Sequence, residues 1–169
     1  FRPADFVETA ESWEIALRLD SPSLLALSRQ NLPQLRSDFE PENKSALGAY
    51  VIKNAPQAVA TIFASGSEVS LALSVAEILA DLQIRVVSIP SFNLFFKQKE
   101  EYIESLLGGT DLKIGIEAGC SNGWHKIIGR KGLFFGIDEF GHSAPAKSLF
   151  KLYGLEPEVI AAKIREKLI

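Results

Sequence analysis

Val59-Ala60-Thr61-Ile62-Phe63-Ala64, followed by Ser65-Gly66-Ser67 and then by Glu68-Val69-Ser70-Leu71-Ala72-Leu73-Ser74-Val75-Ala76-Glu77-Ile78-Leu79, decides the fold. The first six residues form a near-continuous apolar run, too short for a helix and with no alternation of polar and apolar positions. A strand of that kind is covered on both faces. After the Ser-Gly-Ser turn, Val69, Leu73, Val75, Ala76 and Leu79 give a broad apolar face at helical spacing, which predicts a helix from Ser67 to Leu82. A buried strand feeding a helix is one half of a βαβ unit, and such units build parallel sheets.

The pattern repeats downstream. Ile84–Ile89 reads as a strand, and Pro90-Ser91-Phe92-Asn93 leads into a helix from about Leu94 to Leu107. Leu112–Ala118 is a further strand, Gly123–Gly129 opens a short helix, and Leu133–Ile137 is the last strand. Helices near Ala144–Tyr153 and Pro157–Leu168 close the chain. Upstream, Ala49–Ile52 is a short strand joined to Val59–Ala64 through Lys53–Gln57, a connection too short for a helical crossover. That pair is therefore expected to be antiparallel. The expected architecture is a three-layer αβα domain. Its five-stranded sheet is mostly parallel, with one antiparallel edge strand.

Residues 1–32 are of a different kind. Phe6, Ala10, Trp13, Ala16 and Leu17 recur at helical spacing from about Asp5 to Leu19, with Asp5 as the cap and Glu8 completing a capping box. Leu24–Leu27 reads as a short buried strand, followed by the polar string Ser28-Arg29-Gln30-Asn31. A lone helix and strand cannot bury their own apolar faces, so 1–32 are expected to be the remnant of a preceding α/β domain. The prolines, Asn43 and charges between Leu32 and Ala46 suggest a surface linker. The expected domain is 48–169, with the linker at 33–47.

Composition narrows the function. The 169 residues suit one domain plus an appendage, and 47% hydrophobic with 23% charged residues is ordinary for a globular protein. No apolar run approaches the roughly 20 residues that cross a bilayer, so no membrane partner is expected. With 18 basic and 21 acidic residues and no basic cluster, the electrostatic footprint of nucleic-acid binding is absent. Cys120 is the only cysteine, which excludes an internal disulfide and favours a cytoplasmic setting. The sequence starts at Phe1 and contains no methionine, so an upstream segment is expected; Phe1–Asp5 has neither the basic flank nor the apolar run of a signal peptide.

No complete active site is legible. Walker, G-x-G-x-x-G, G-x-S-x-G and H-E-x-x-H patterns are missing, and two histidines with one cysteine fall short of a zinc site. Ser65-Gly66-Ser67, between strand and helix, can present backbone N–H groups to an anion, although the ordinary reading is a turn in which Ser67 caps its helix. Asp138, His142 and Ser143 lie close in sequence, but a hydrolytic triad is defined by geometry, and the ordinary reading is a loop satisfying its own backbone. Cys120 reads as a buried or semi-buried inert thiol, with nothing basic beside it. His125 reads as a packing or surface residue, and Glu117, ending a buried strand, needs a partner. Arg29 follows a strand end, where α/β proteins place ligand contacts, and its planar fork suits phosphate oxygens. A surface ion pair is the competing reading of Arg29.

The same residues carry a resemblance. Arg2-Pro3-Ala4-Asp5 with Glu8-Thr9 and Trp13 resembles the R-P-A-D-x-x-E-T segment of transketolases, and Leu27-Ser28-Arg29-Gln30-Asn31-Leu32-Pro33 is similar to their L-S-R-Q-N-L-P string almost letter for letter. Collinear matches follow at Gly48–Val51, Ala64–Val69, Val86–Ser91, Leu94-Phe95 with Gln98 and Tyr102, Glu117-Ala118, Gly123-Trp124, Gly136–Gly141 and Ser143–Ala146. Residues 36–45 follow no such pattern, and His142 stands where the family commonly has a small residue.

The resemblance implies a transferase that moves a two-carbon ketol unit between sugar phosphates in the pentose phosphate pathway. It implies a homodimer of three-domain subunits that uses thiamine diphosphate and Mg2+ or Ca2+. Residues 1–32 would then be the end of the second, pyrimidine-binding domain. The cofactor, metal and catalytic residues belong upstream, so none is expected on residues 1–169, and this portion alone is expected to be inactive. Its partners would be the upstream domains and a second subunit. The one site residue implied is Arg29, on the phosphate of the sugar substrate. The alternatives are a free-standing α/β small-anion-binding or regulatory module, or part of another thiamine-diphosphate enzyme. The second of these is disfavoured because deoxyxylulose-phosphate synthases and keto-acid dehydrogenases lack S-R-Q-N-L-P.

Overall fold

Five strands form one sheet in the order β1-β3-β2-β4-β5, with β1 Tyr50–Lys53, β2 Ala60–Ala64, β3 Ile84–Ser88, β4 Leu112–Ile116 and β5 Leu133–Phe135. The computed structural model describes residues 1–38 and 40–168; residue 39 of the expected linker and residue 169 lie outside the described residues. Strands β2 to β5 are parallel, and β1 is the antiparallel edge. Its partner differs from the expectation. The short loop 54–59 carries the chain past the position of β3 into β2, and β1 hydrogen-bonds to β3, with Tyr50 opposite Ser88 and Val51 opposite Val87. A tight connection dictates direction but not adjacency, and β2 already has β3 and β4 on its two edges.

Helix α1 spans Phe6–Arg18, α2 Glu68–Ile78, α3 Phe92–Phe95, α4 Glu100–Leu107, α5 His125–Ile128, α6 Ala146–Leu152 and α7 Pro157–Leu168. One sheet face buries Ile62, Val86, Ile114 and Ile116 against Val69, Ala72 and Val75 of α2 and Ile160 and Ile164 of α7. The other buries Phe63, Val87 and Ile89 against Phe95, Leu106, Trp124 and Ile127. Trp124 lies so close to the sheet that a Cβ at Gly115 would sit 2.8 Å from its ring. These are the three layers expected.

Two expected elements are changed. The single helix from Leu94 to Leu107 is interrupted between α3 and α4, because Lys97-Gln98-Lys99-Glu100-Glu101 offers no apolar side chain to hold a continuous helix on the sheet. The strand expected at Leu24–Leu27 does not form. Leu24 is 74% and Leu27 55% exposed, and among the described residues this stretch bonds to backbone only at Phe1, whose nitrogen donates to the Leu24 carbonyl and whose carbonyl accepts from Ala26 N–H. A buried-strand pattern is realised only where a sheet is present to cover it. No helix among the described residues is long and apolar enough to cross a membrane.

Candidate functional site

The chain leaves β2 for α2 on one face of the sheet and leaves β4 for α5 on the other, so the carboxyl ends of these neighbouring strands flank a crevice. Reversal of winding at such a point is where open α/β sheets bind ligands. Here the crevice is filled from within the chain. The Arg2 guanidinium lies over the Ser65-Gly66-Ser67 turn, with Nη2 3.2 Å from Glu68 Oε2 and 2.5 Å from Glu117 Oε1. The second contact is one of charge: no N–H is aligned on Glu117 Oε1, and Arg2 Nε is also without a hydrogen-bond acceptor. Glu117 Oε2 accepts from the buried Ser65 hydroxyl at 2.5 Å. The Arg2 backbone is held as firmly, its N–H donating to Pro90 O and its carbonyl accepting from Gly66 N–H. Gly66 has φ 58°, and a Cβ there would come within 3.3 Å of Arg2 Nε. Glycine is therefore required both for the turn and for the approach of the arginine.

This arrangement does not suit an anion. The first N–H groups of α2 are used by the turn itself, Glu68 N–H donating to Ser65 O and Val69 N–H to Gly66 O. Ser67, expected as a side-chain cap, makes no cap hydrogen bond; its hydroxyl donates to Glu68 Oε1 at 2.7 Å. Glu68 and Glu117 supply two carboxylates where a phosphate would need donors. Burial, aided by the charge of Glu68, pushes Glu117 up to about 7 against the pull of Arg2 and the Ser65 hydroxyl. The partner that Glu117 required is thus Arg2 together with Ser65.

From the Arg2 strap the chain runs into α1, whose acids tie residues 1–47 to the sheet. Asp5 Oδ1 caps α1 by accepting from Glu8 N–H, and Oδ2 accepts from the Leu35 and Arg36 N–H groups. Glu8 turns its carboxylate back to the Ala4 N–H and, beyond that, accepts from the hydroxyls of Tyr50 and Ser88. Those two residues are opposite one another in the β1–β3 register, which brings both hydroxyls to one carboxylate. Burial holds Glu8 above the usual carboxylate range despite these donors. Arg36, expected on a surface linker, is instead largely buried. Its guanidinium forms a fork with Glu11 at 2.9 Å per arm, pairs with Glu40 and lies over the Tyr50 ring.

Arg29 belongs to the segment between these anchors. Gln30 N–H donates to Ser28 Oγ, forming a local turn that presents Arg29 outward. Arg29 is exposed and takes part in none of the ion pairs among the described residues. Beside it, Ser28, Gln30, Asn31, Leu32 and Pro33 form one wall of a cleft of about 700 Å³; Arg2, Glu68 and the exposed flank of α2 form part of the rest. The structure does not bring the remaining candidates together. Asp138 Oδ1 accepts from Ser121 N–H, His142 stacks on Tyr153 with ring centroids 6.2 Å apart, and Ser143 is exposed. Cys120 is exposed rather than buried, because β4 ends at Ile116 and the loop that follows turns outward. His125 opens α5 at the surface. Among the described residues no three His, Cys, Asp or Glu side chains are grouped to hold a metal ion. Arg2, Glu68 and Arg36 were not legible as contact residues; the only signal was that Arg2 lies in the R-P-A-D motif and Glu68 directly follows the turn.

Fold and crevice together define a doubly wound α/β domain whose switch point is plugged by an arginine from a preceding helical segment. A family model described as Transketolase-like TK C-terminal domain matches residues 48–156. Transketolase from Rhodobacter capsulatus is 44% identical over 178 residues, covering 99% of this chain and 26% of that protein. The structure of transketolase from Leishmania mexicana superposes with a TM-score of 0.88 at 38% identity, over 99% of this chain and 24% of that one. That of Pichia stipitis transketolase in complex with sedoheptulose 7-phosphate gives 0.90 at 35% identity, over 99% and 25%. The chain belongs to the transketolase family, within which it matches the C-terminal domain. It spans about a quarter of the length of the relatives it matches.

Proposed function

We propose that residues 1–169 are the carboxy-terminal portion of a transketolase, in which Arg29 binds the phosphate of the sugar substrate. The observation that carries this reading is the exposed Arg29, engaged by no carboxylate among the described residues, between Ser28 and Gln30, which both line the cleft. A fork of charge-assisted donors recognises a phosphate dianion. The Pichia relative, complexed with a sugar phosphate, supports the same ligand class. Residues 1–32 are read as the end of the pyrimidine-binding domain, 33–47 as the linker and 48–169 as the C-terminal domain.

The reaction moves a two-carbon ketol unit from a ketose phosphate to an aldose phosphate. Thiamine diphosphate with Mg2+ or Ca2+ supplies its carbanion chemistry. The donor set of the crevice does not fit that group, since it presents two carboxylates and a committed arginine. The cofactor is therefore assigned to the rest of the parent enzyme, a cytoplasmic homodimer. Arg29 acts on a phosphate remote from the reacting carbon, so its binding energy serves orientation. The same acidic crevice disfavours a free-standing anion-binding module.

Arg29→Ala in the intact enzyme should raise KM for xylulose 5-phosphate by roughly 10- to 100-fold, the worth of hydrogen bonds to a charged group. Equal loss with an unphosphorylated ketose would remove Arg29 from the phosphate. Residues 1–169 alone should give no saturable heat on titration with thiamine diphosphate and Mg2+; saturable binding with turnover would overturn the reading as a portion.

A further inference from the structure

The segment 24–34, which carries Arg29, makes no hydrogen bond to a strand among the described residues; only beyond it does Leu35 pack against the core and Arg36 lie over the Tyr50 ring. At its start, the Phe1 backbone nitrogen donates to Leu24 O at 2.6 Å and Ala26 N–H donates to Phe1 O at 2.8 Å. At its end, Asp5 Oδ2 accepts from the Leu35 and Arg36 N–H groups at 3.0 and 3.1 Å. Residues 24–36 thus hang like a bow between two points on the strap Phe1–Asp5. Between those points, Arg2 fastens the strap to the sheet through two backbone hydrogen bonds and the charge contacts with Glu68 and Glu117. Beneath the arginine Glu68 is fully buried and Glu117 nearly so, so removing Arg2 would take the counter-charge from both carboxylates.

We propose that Arg2, seated in the socket formed by Ser65, Glu68 and Glu117, is a positioning residue for the sugar-phosphate site, setting the placement of Arg29 through the Phe1–Ala26 and Asp5–Leu35 hydrogen bonds. The inference rests on the phosphate-binding reading of Arg29. The switch-point crevice, which in other doubly wound sheets holds a ligand, here holds a lever for a ligand-binding loop. A shift of the bow by about 1 Å would misplace the guanidinium fork without removing any group that touches substrate.

The test is a double-mutant cycle in the full-length enzyme, reading the ratio of KM for fructose to KM for fructose 6-phosphate. Arg2→Ala should lower that ratio roughly tenfold, the order expected for a displaced binding group. Arg2→Lys, which keeps the charge but not the fork, should restore part of it and serves if the alanine variant does not fold. In an Arg29→Ala background, Arg2→Ala should change the ratio by no more than about twofold, because groups acting through one contact are not additive. If Arg29→Ala lowers the ratio and neither Arg2 variant does, or if the two effects multiply, the positioning role is refuted while the phosphate reading stands. If Arg29→Ala leaves the ratio unchanged, the phosphate reading itself falls, and this inference with it.

Discussion

Replacing Glu117 by Gln tests the electrostatics of the crevice in isolation. The carboxyl titrates at about 7 in the folded chain against 4.5 for an unperturbed glutamate, chiefly because it is buried. Between those two values the folded protein keeps a proton that the unfolded chain has released. Stability therefore falls as pH rises through that window and is level above it. At about 1.4 kcal/mol per pH unit, the ionised carboxylate costs the folded state about 3 kcal/mol by pH 8. Glutamine has the same shape, keeps an oxygen for the Ser65 hydroxyl and cannot ionise. Urea unfolding of both proteins at pH 5 and pH 8 gives the comparison, and Glu8, whose pKa is raised in both, cancels. The variant should gain about 3 kcal/mol relative to the parent on going from pH 5 to pH 8. Parallel profiles would refute the raised pKa. A relative loss would show that the attraction of Arg2 outweighs burial.

Three further outcomes follow from the anchors. Arg36→Ala leaves Glu11 with only the donors of residues 44 and 45 and should cost about 3 kcal/mol at pH 7 by urea unfolding. Although burial works against it, hydrogen bonds from Arg36 and Ser45 hold Glu11 below its usual value, so this cost should shrink as pH falls below 4.5. Tyr50→Phe deprives the buried Glu8 of a donor and should cost about 1 to 3 kcal/mol in the same assay. That loss should deepen as pH rises through the raised pKa of folded Glu8, because the charged carboxylate is the form that needs the hydroxyl. Gly48→Ala would set a Cβ 2.1 Å from Phe95 N at φ 78°, so backbone must move; loss of more than about 2 kcal/mol is expected, and a change within about 0.5 kcal/mol would contradict the packing of the turn on α3.

Period and punctuation were enough to locate β2, β3 and β4 to within a residue or two, and α7 to the residue, because a continuous apolar run or a 3.6-residue stripe is a local property. The same local rules put a strand at Leu24–Leu27, where no sheet lies beside it, and a single helix where α3 and α4 are separate. The site divides in the same way. Arg29 was legible as a candidate because its motif is contiguous. The socket was not, because Arg2, Ser65, Glu68 and Glu117 come from three distant stretches and meet only when β2 and β4 become neighbours.

What the amino-acid sequence determined by itself was a mostly parallel αβα sheet, the antiparallel sense of β1, and an arginine displayed just before Leu32-Pro33. The tertiary structure alone decided that β1 lies against β3, that the Arg36 side chain is buried against Glu11, and that the switch-point crevice holds the Arg2 guanidinium. The physical reason is range. Backbone propensity and burial are set by near neighbours along the chain, whereas a charge takes its partner from whatever the fold brings within a few ångströms, and the energy that selects the partner exists only once water has been excluded.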